Sequence, residues 1–179
     1  MKFAGQILRT ATLSVWALSA AFIGGCRDSG TDGEHFVLDG KIFVFNYRVA
    51  TATYLVNIRP VKPIGEGETA VVSFEDPAGG EPIVVREKIW PNTQKTTIHS
   101  PPLRCIVKDR PYEVVIRIEN AGSELLQRID TTVTSSQDQS LLPDRPLVVG
   151  PFYDPNPDVA GHPGGDLPGE GMEACPKGK

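Results

Sequence analysis

The fold class follows from Tyr112-Glu113-Val114-Val115-Ile116-Arg117-Ile118-Glu119, the most regularly alternating stretch of the chain. Its even-numbered residues are apolar, whereas Glu113, Arg117 and Glu119 are charged. Because successive side chains of a β-strand point to opposite faces, the apolar set lies on one side of an extended chain. We therefore expect a strand that packs one face inward and turns the other toward water.

The same pattern extends on both sides of this stretch. Asn120-Ala121-Gly122-Ser123 is typical of a turn and leads into further apolar residues, which predicts a hairpin. Asp76-Pro77-Ala78-Gly79-Gly80 predicts a second hairpin, between residues 69–74 and 83–89. Strands are expected over residues 36–48, 52–59, 68–75, 82–90, 94–99, 103–107, 111–119 and 124–134.

Short strands at this spacing, with no long apolar period of 3.6 residues, predict an all-β domain over residues 35–157. We expect a single antiparallel β-sandwich, immunoglobulin-like or transthyretin-like, with a barrel as the remaining alternative. Residues 146–151 could close one edge, since proline is confined to the edges of sheets. Residues 158–179 are rich in Gly and Pro and have little to bury, which predicts a disordered tail.

The N-terminal residues have the layout of a secretory signal peptide. Lys2 and Arg9 precede an uncharged and largely apolar stretch over residues 10–25. This stretch is shorter and more interrupted than the roughly 20 apolar residues of a membrane-spanning helix. We therefore expect residues 1–25 to be removed after export.

The apolar stretch ends in Ile23-Gly24-Gly25-Cys26, which resembles the lipobox of bacterial lipoproteins. The resemblance implies cleavage before Cys26, acylation of that cysteine with diacylglycerol and chains such as palmitate, and a flexible tether over residues 26–34. Arg27 stands where such proteins carry an aspartate for inner-membrane retention, which implies the periplasmic face of the outer membrane. The alternative is ordinary cleavage after Ala21, with Cys26 left as a free thiol.

The charge of the mature chain restricts its partners. Loss of Lys2 and Arg9 with the signal peptide leaves 16 basic against 22 acidic residues, a formal net charge of −6. Nucleic acids are bound through clustered Lys and Arg, so a nucleic-acid partner is disfavoured.

The two remaining cysteines, Cys105 and Cys175, form an even pair in a compartment that permits disulfides. Two alternatives stay open, because the sequence does not report the distance between them. Either the two cysteines are bridged, or Cys105 is a buried apolar residue and Cys175 is unpaired in the tail.

The sequence has no residue pattern that predicts catalysis or metal binding. His35, His99 and His162 are far apart in the chain and form no metal-spaced pair. No GxSxG motif occurs, and Cys105 lacks a sequence signature that pairs it with a base. We therefore expect no metal, no cofactor and no enzymatic activity.

Aromatic residues of the first strand are the candidate partner surface. Phe43, Phe45 and Tyr47 share one side of this strand, and Ile42 and Val44 take the other. Such a strand is either central and covered on both faces, or it exposes one apolar face. The second alternative makes Phe43, Phe45 and Tyr47 the surface that docks a partner.

The central part of the chain resembles the small β-sandwich lipoproteins that include the pilotins of type III secretion. The resemblance covers residues 54–132 and lies in the turn over residues 63–67, the strand over 70–74, Pro111-Tyr112-Glu113-Val114 and the Gly122 hairpin. It implies a non-enzymatic chaperone or assembly module that binds a segment of an envelope or secretion-system protein. The alternatives are an envelope hydrolase acting on glycan and a purely structural envelope lipoprotein.

Overall fold

Seven β-strands build the body of the protein in the computed structural model, which describes residues 33–167 and Cys175. The strands are β1 (Phe36–Asn46), β2 (Thr51–Pro60), β3 (Thr69–Phe74), β4 (Ile83–Lys88), β5 (Thr96–His99), β6 (Pro111–Glu119) and β7 (Leu125–Thr134). They form two sheets, with strand orders β1-β2-β5 and β4-β3-β6-β7, in which all neighbouring strands are antiparallel. The two sheets share one apolar core, so the predicted all-β sandwich is confirmed.

The strand order is that of an immunoglobulin-like sandwich. The chain crosses between the sheets after β2, β4 and β5, so that β5 returns beside β2 and β6 lies beside β3. Tyr112, at the start of β6, adds the tyrosine corner that marks such folds. Its hydroxyl accepts a hydrogen bond of 2.8 Å from the Val107 N–H, a few residues upstream. Of the two sandwich types expected, the immunoglobulin-like one therefore matches the structure.

The core is formed by the faces that alternation predicts to be apolar. The four even-numbered side chains of β6, from Tyr112 to Ile118, are fully buried, which confirms the orientation expected for this strand. Tyr54 lies at the centre of an aromatic cluster. Its ring stacks on that of Phe74 with centroids 4.9 Å apart, and it lies 4.4 Å from the ring of Phe43.

One predicted strand, over residues 103–107, is not formed, so that prediction is wrong. Leu103 contributes only an isolated bridge to Ala52. The chain turns at Cys105, whose φ of 66° belongs to the left-handed region and is incompatible with an extended strand. Ile106 is nevertheless fully buried, so the apolar residues here belong to a loop that closes the core.

The segment expected to close a sheet edge forms a separate small hairpin. Its strands are β8 (Val148–Val149) and β9 (Asp154–Pro155), which pair only with each other among the described residues. The helical segments among residues 33–167 are three single turns of 3₁₀-helix, Tyr47–Val49, Gln139–Leu141 and Pro157–Val159. Over the described residues, no helix has the length and apolar character needed to span a bilayer.

Residues 158–167 pack against the domain, which corrects the prediction of a disordered tail for this part of the chain. Val159 is buried, and the Leu167 N–H donates to the Asp144 carboxylate at 2.8 Å. Composition alone indicated too little apolar surface for order, but turns and hydrogen bonds to earlier residues supply the missing interactions. Of the residues that follow, the structure describes Cys175.

The sandwich has two ends that carry different segments. The chain enters β1 at Phe36, and we call this the tether end. Three loops close the tether end, namely residues 61–68, 89–95 and 120–124. The opposite end, which we call the cap end, carries residues 47–50, 75–82, 100–110 and 135–167. The predicted signal peptide and Cys26 lie outside the described residues, as does the tether before Gly33.

Candidate functional site

The partner surface predicted on β1 is wrong for two of its three residues. Phe43 is only 5% exposed and lies in the core, and Phe45 is partly buried against it. This side of β1 faces the other sheet, where the ring of Tyr112 lies 5.6 Å from that of Phe43. Both sides of the strand are apolar, so alternation alone did not reveal which side packs inward. Tyr47, beyond the end of β1, is 47% exposed.

Tyr47 belongs to an exposed aromatic group at the cap end. Phe152 is 85% exposed and Tyr153 is 54% exposed. The guanidinium of Arg48 lies 5.2 Å from the ring centroid of Tyr153, and the Arg48 carbonyl accepts a hydrogen bond of 2.9 Å from the Leu147 N–H. These contacts join the β1–β2 turn to the segment that contains β8 and β9. We call Tyr47, Phe152 and Tyr153 the aromatic tip.

A second exposed surface lies on the outer face of the four-stranded sheet. Val71 on β3 is paired in register with Arg86 on β4 and with Arg117 on β6, and Arg117 is paired with Arg128 on β7. Residues paired directly across neighbouring strands share a face of the sheet. One line across this face therefore carries three guanidinium groups. We call Arg86, Arg117 and Arg128 the arginine row.

Carboxylates hold the arginine row in place. Glu119 is 7% exposed and accepts hydrogen bonds from Arg117 at 2.8 Å and from Arg86 at 3.2 Å. Arg128 donates through two nitrogens to Asp130, at 2.7 and 2.8 Å, and this hydrogen bonding lowers the pKa of Asp130 and raises that of Arg128. Because Arg86 and Arg117 share one carboxylate, the row keeps an excess positive charge within an acidic chain.

An open depression of about 260 Å³ adjoins the arginine row. It is lined by Val71, Ser73, Val84, Val115, Arg117 and Arg128. Val84 is 59% exposed, so an apolar contact is available to a partner without any rearrangement. Valine side chains can bind an aliphatic group by burial, while guanidinium groups form charge-assisted hydrogen bonds to a carboxylate. We call this feature the valine depression.

The described residues bring together no set of side chains with the geometry of a metal site. No group of three or more His, Cys, Asp or Glu residues converges in residues 33–167 and Cys175. His35, His99 and His162 lie before β1, in β5 and in the C-terminal segment. The carboxylate of Glu75 accepts hydrogen bonds from Arg110 at 2.6 Å and from a backbone N–H of β6 at 2.9 Å, and these bonds link the cap-end loops.

Cys105 and Cys175 are joined by a disulfide, with their Cα atoms 5.4 Å apart. Of the two alternatives that the sequence left open, the structure contains the bridge. The disulfide attaches the C-terminal part of the chain to the loop of residues 100–110, at the cap end. Cys105 is 6% exposed, which places the bond at the surface of the core.

The arginine row and the valine depression were missed by the sequence-based prediction. Alternation identifies outward positions within one strand, and each arginine stands at such a position. Arg86, Arg117 and Arg128 belong to three different strands, however, and only the register of strand pairing brings them into one line.

No protein-family model and no curated protein matches this chain. The resemblance to bacterial lipoproteins and pilotins therefore stays a prediction.

Proposed function

We propose that this protein is a lipid-anchored, non-enzymatic binding or assembly module of the bacterial cell envelope. In this proposal a lipid on Cys26 attaches it to the periplasmic face of the outer membrane, and the outer face of its four-stranded sheet binds a partner protein. The observation that supports the partner surface best is the valine depression beside the arginine row. An exposed valine, Val84, next to fixed guanidinium groups is more suited to recognition than to packing of the domain itself.

The chemistry of this surface favours an acidic segment of another protein. Val84 and Val115 offer contact to an aliphatic side chain. The N–H groups of Arg117 and Arg128 that are not bonded to Glu119 and Asp130 offer hydrogen bonds to a carboxylate next to it. An open depression of this kind can accept a side chain from a protein surface or from an extended peptide. A pilotin-like or chaperone-like role, in which the anchored domain carries a segment of an envelope protein, is consistent with these properties.

Intact mass spectrometry of the protein purified from membranes of its own host tests the anchor. We expect a chain that begins at Cys26 and carries the additional mass of lipid. The Cys26→Ser variant should lose that mass. An unlipidated chain beginning at Phe22 would contradict the proposed attachment.

A photo-crosslinking residue placed at position 84 tests the partner surface in intact cells. Position 44 provides the matched control, since Val44 is also an exposed valine, 38% accessible, on the outer face of the opposite sheet. We expect position 84 to yield a covalent adduct with an envelope protein and position 44 to yield none. Equal adducts from both positions, or no adduct from position 84, would rule out the assignment.

Once that partner is identified, substitutions at the same two positions test how it is bound. Val84→Asp should weaken binding by about tenfold or more, which corresponds to ~1.4 kcal/mol, because it removes an apolar contact and repels the carboxylate of the partner. Val44→Asp should leave the affinity unchanged. Both side chains are exposed, so neither change is expected to unfold the domain.

A further inference from the structure

Trp90 is a large apolar residue at the tether end of the sandwich, and 61% of its surface is exposed. It lies in the loop that connects β4 to β5. The preceding residue, Ile89, is fully buried, and its N–H donates to the Glu68 carbonyl at 2.9 Å. The Trp90 carbonyl in turn accepts a hydrogen bond of 3.2 Å from the Thr93 N–H. An ordered loop therefore presents the indole outward.

The surroundings of Trp90 match those of side chains at a membrane interface. The Nζ atom of Lys88 lies 4.2 Å from the centroid of the indole ring. Tryptophan favours the boundary between acyl chains and headgroups, and lysine extends its ammonium group toward the headgroups while its stem stays in apolar surroundings. Val61 and Leu125, which are 46% and 56% exposed, lie at the same end of the domain.

The length of the chain before β1 indicates that the tether end of the domain contacts the bilayer. Residues 26–36, when fully extended, span at most about 35 Å. Because β1 begins at the tether end, a lipid on Cys26 holds this end within that distance of the membrane. The aromatic tip lies at the cap end, on the opposite side of the sandwich, and is held away from the bilayer in the same arrangement.

We propose that Trp90 inserts into the bilayer interface and acts as a second attachment point beside the lipid on Cys26. The inference rests on the anchor proposed above. Two attachment points orient the sandwich, with the cap end turned toward the periplasm and the arginine row accessible from the side.

Electrostatic attraction contributes little to this contact. The tether end has no excess of basic side chains, since Lys62, Lys88 and Lys95 stand against Glu66, Glu68, Glu87 and Glu124. The tether instead supplies a high effective concentration of indole at the membrane, so even a weak apolar contact is populated. We therefore expect the contact to persist when the salt concentration is raised.

Fluorescence of the lipidated mature protein in phospholipid vesicles tests the insertion. The chain has two tryptophans, and the other, Trp16, lies within the signal peptide, so the emission of the mature protein reports Trp90 alone. In vesicles with brominated acyl chains we expect a blue-shifted emission that is quenched relative to vesicles with ordinary lipids. Unquenched emission at the wavelength of a water-exposed indole would overturn the inference.

A double variant, Trp90→Phe with Phe152→Trp, moves the probe to the aromatic tip and provides the matched control. Its emission should be quenched much less than that of Trp90. Equal quenching at the two positions would show that the quenching does not depend on the position of the indole and would overturn the inference. If mass spectrometry finds no lipid, a maleimide lipid coupled to Cys26, the one cysteine outside the disulfide, supplies the anchor. Quenching of Trp90 in that conjugate would support the insertion although the lipoprotein assignment had failed, and its absence would overturn the insertion.

Discussion

Two tyrosines place their hydroxyl groups in the core, and each hydroxyl has a backbone partner. Tyr54 donates to the Glu75 carbonyl at 3.0 Å, and Tyr112 accepts from the Val107 N–H at 2.8 Å. A buried hydroxyl costs little free energy when it is paired and considerably more when it is not. Burial, together with the neighbouring carboxylate of Glu75, raises the pKa of Tyr54 well above its usual range. The folded protein therefore keeps this phenol protonated.

The raised pKa predicts a loss of stability at alkaline pH. The unfolded chain releases the Tyr54 proton at about pH 10, whereas the folded chain retains it. The contribution of this protonated phenol to stability is therefore complete below that pH and declines above it. The decline is about 1.4 kcal/mol per pH unit for this one group. Urea unfolding of the wild type and of Tyr54→Phe measures it. The variant should be less stable at neutral pH but should lose stability less steeply, and parallel curves would contradict the prediction.

Among the elements, β6 links the core to the outer surface. It pairs with β3 on one side and with β7 on the other, so it is central in the four-stranded sheet. Its even-numbered residues are buried, and its odd-numbered residues include Arg117 of the arginine row and Val115 of the valine depression. A substitution that disrupts β6 is therefore expected to affect both folding and the proposed partner surface.

Val114→Asp should unfold the domain, because Val114 is fully buried on β6 and a carboxylate at this position would have no partner. We expect a loss of more than about 3 kcal/mol in the free energy of unfolding, measured by urea titration followed by circular dichroism. The adjacent Glu113 is exposed, and Glu113→Ala should change stability by less than about 0.5 kcal/mol. A larger effect at Glu113 than at Val114 would show that the assigned faces of β6 are reversed.

The order of the C-terminal segment depends on a close approach at Gly165. Its φ is +73°, and a Cβ atom here would lie 2.7 Å from side-chain atoms of both Leu147 and Pro143. Gly161 is the matched control, since its φ is +88° but a Cβ atom would meet no heavy atom within 4 Å. We expect Gly165→Ala to speed limited proteolysis within residues 158–167, measured by mass spectrometry. Gly161→Ala carries only the left-handed backbone cost of roughly 1–2 kcal/mol, and equal cleavage of the two variants would argue against this packing.

Local alternation was sufficient to predict most of the strands, because each strand shows its period within a few residues. The bounds of β6 agree with the prediction, and the hairpin that follows it forms as expected. Alternation was not sufficient where a property depends on distant residues. Tertiary packing determines that Phe43 points inward and that the chain turns at Cys105. Strand register determines that Arg86 lies in line with Arg117.

At the scale of the whole molecule, the disulfide ties the C-terminal part of the chain to the domain. Cys105 and Cys175 are separated by 70 residues in sequence. Closing a loop of this length in the unfolded state stabilises the native state by roughly 4 kcal/mol in the chain-entropy model. The bond thus accounts for a substantial share of the stability expected of a domain this size.

Reduction should therefore lower the urea midpoint of the protein markedly. The measurement is best made on unlipidated protein in a Cys26→Ser background, which removes the free thiol that could exchange with the disulfide. Adding Cys175→Ser should lower the urea midpoint to the value of the reduced parent, and reductant should then cause no further change in the midpoint. An unchanged midpoint on reduction of the parent would contradict the predicted stabilisation.

The disulfide and the entry of the chain at Phe36 lie at opposite ends of the sandwich, and this has a mechanical consequence. With the chain anchored as proposed, tension between the membrane and an object attached near Cys175 would run along the strands rather than across them. The ladder between β1 and β2, which extends from Phe36 to Asn46, is then loaded in shear, and so are the hydrogen bonds of Gln127 to the backbone of Phe36. Bonds loaded in shear share the force and must break together, whereas a peeled hairpin opens one pair at a time. The fold is thus built to withstand pulling along its long axis.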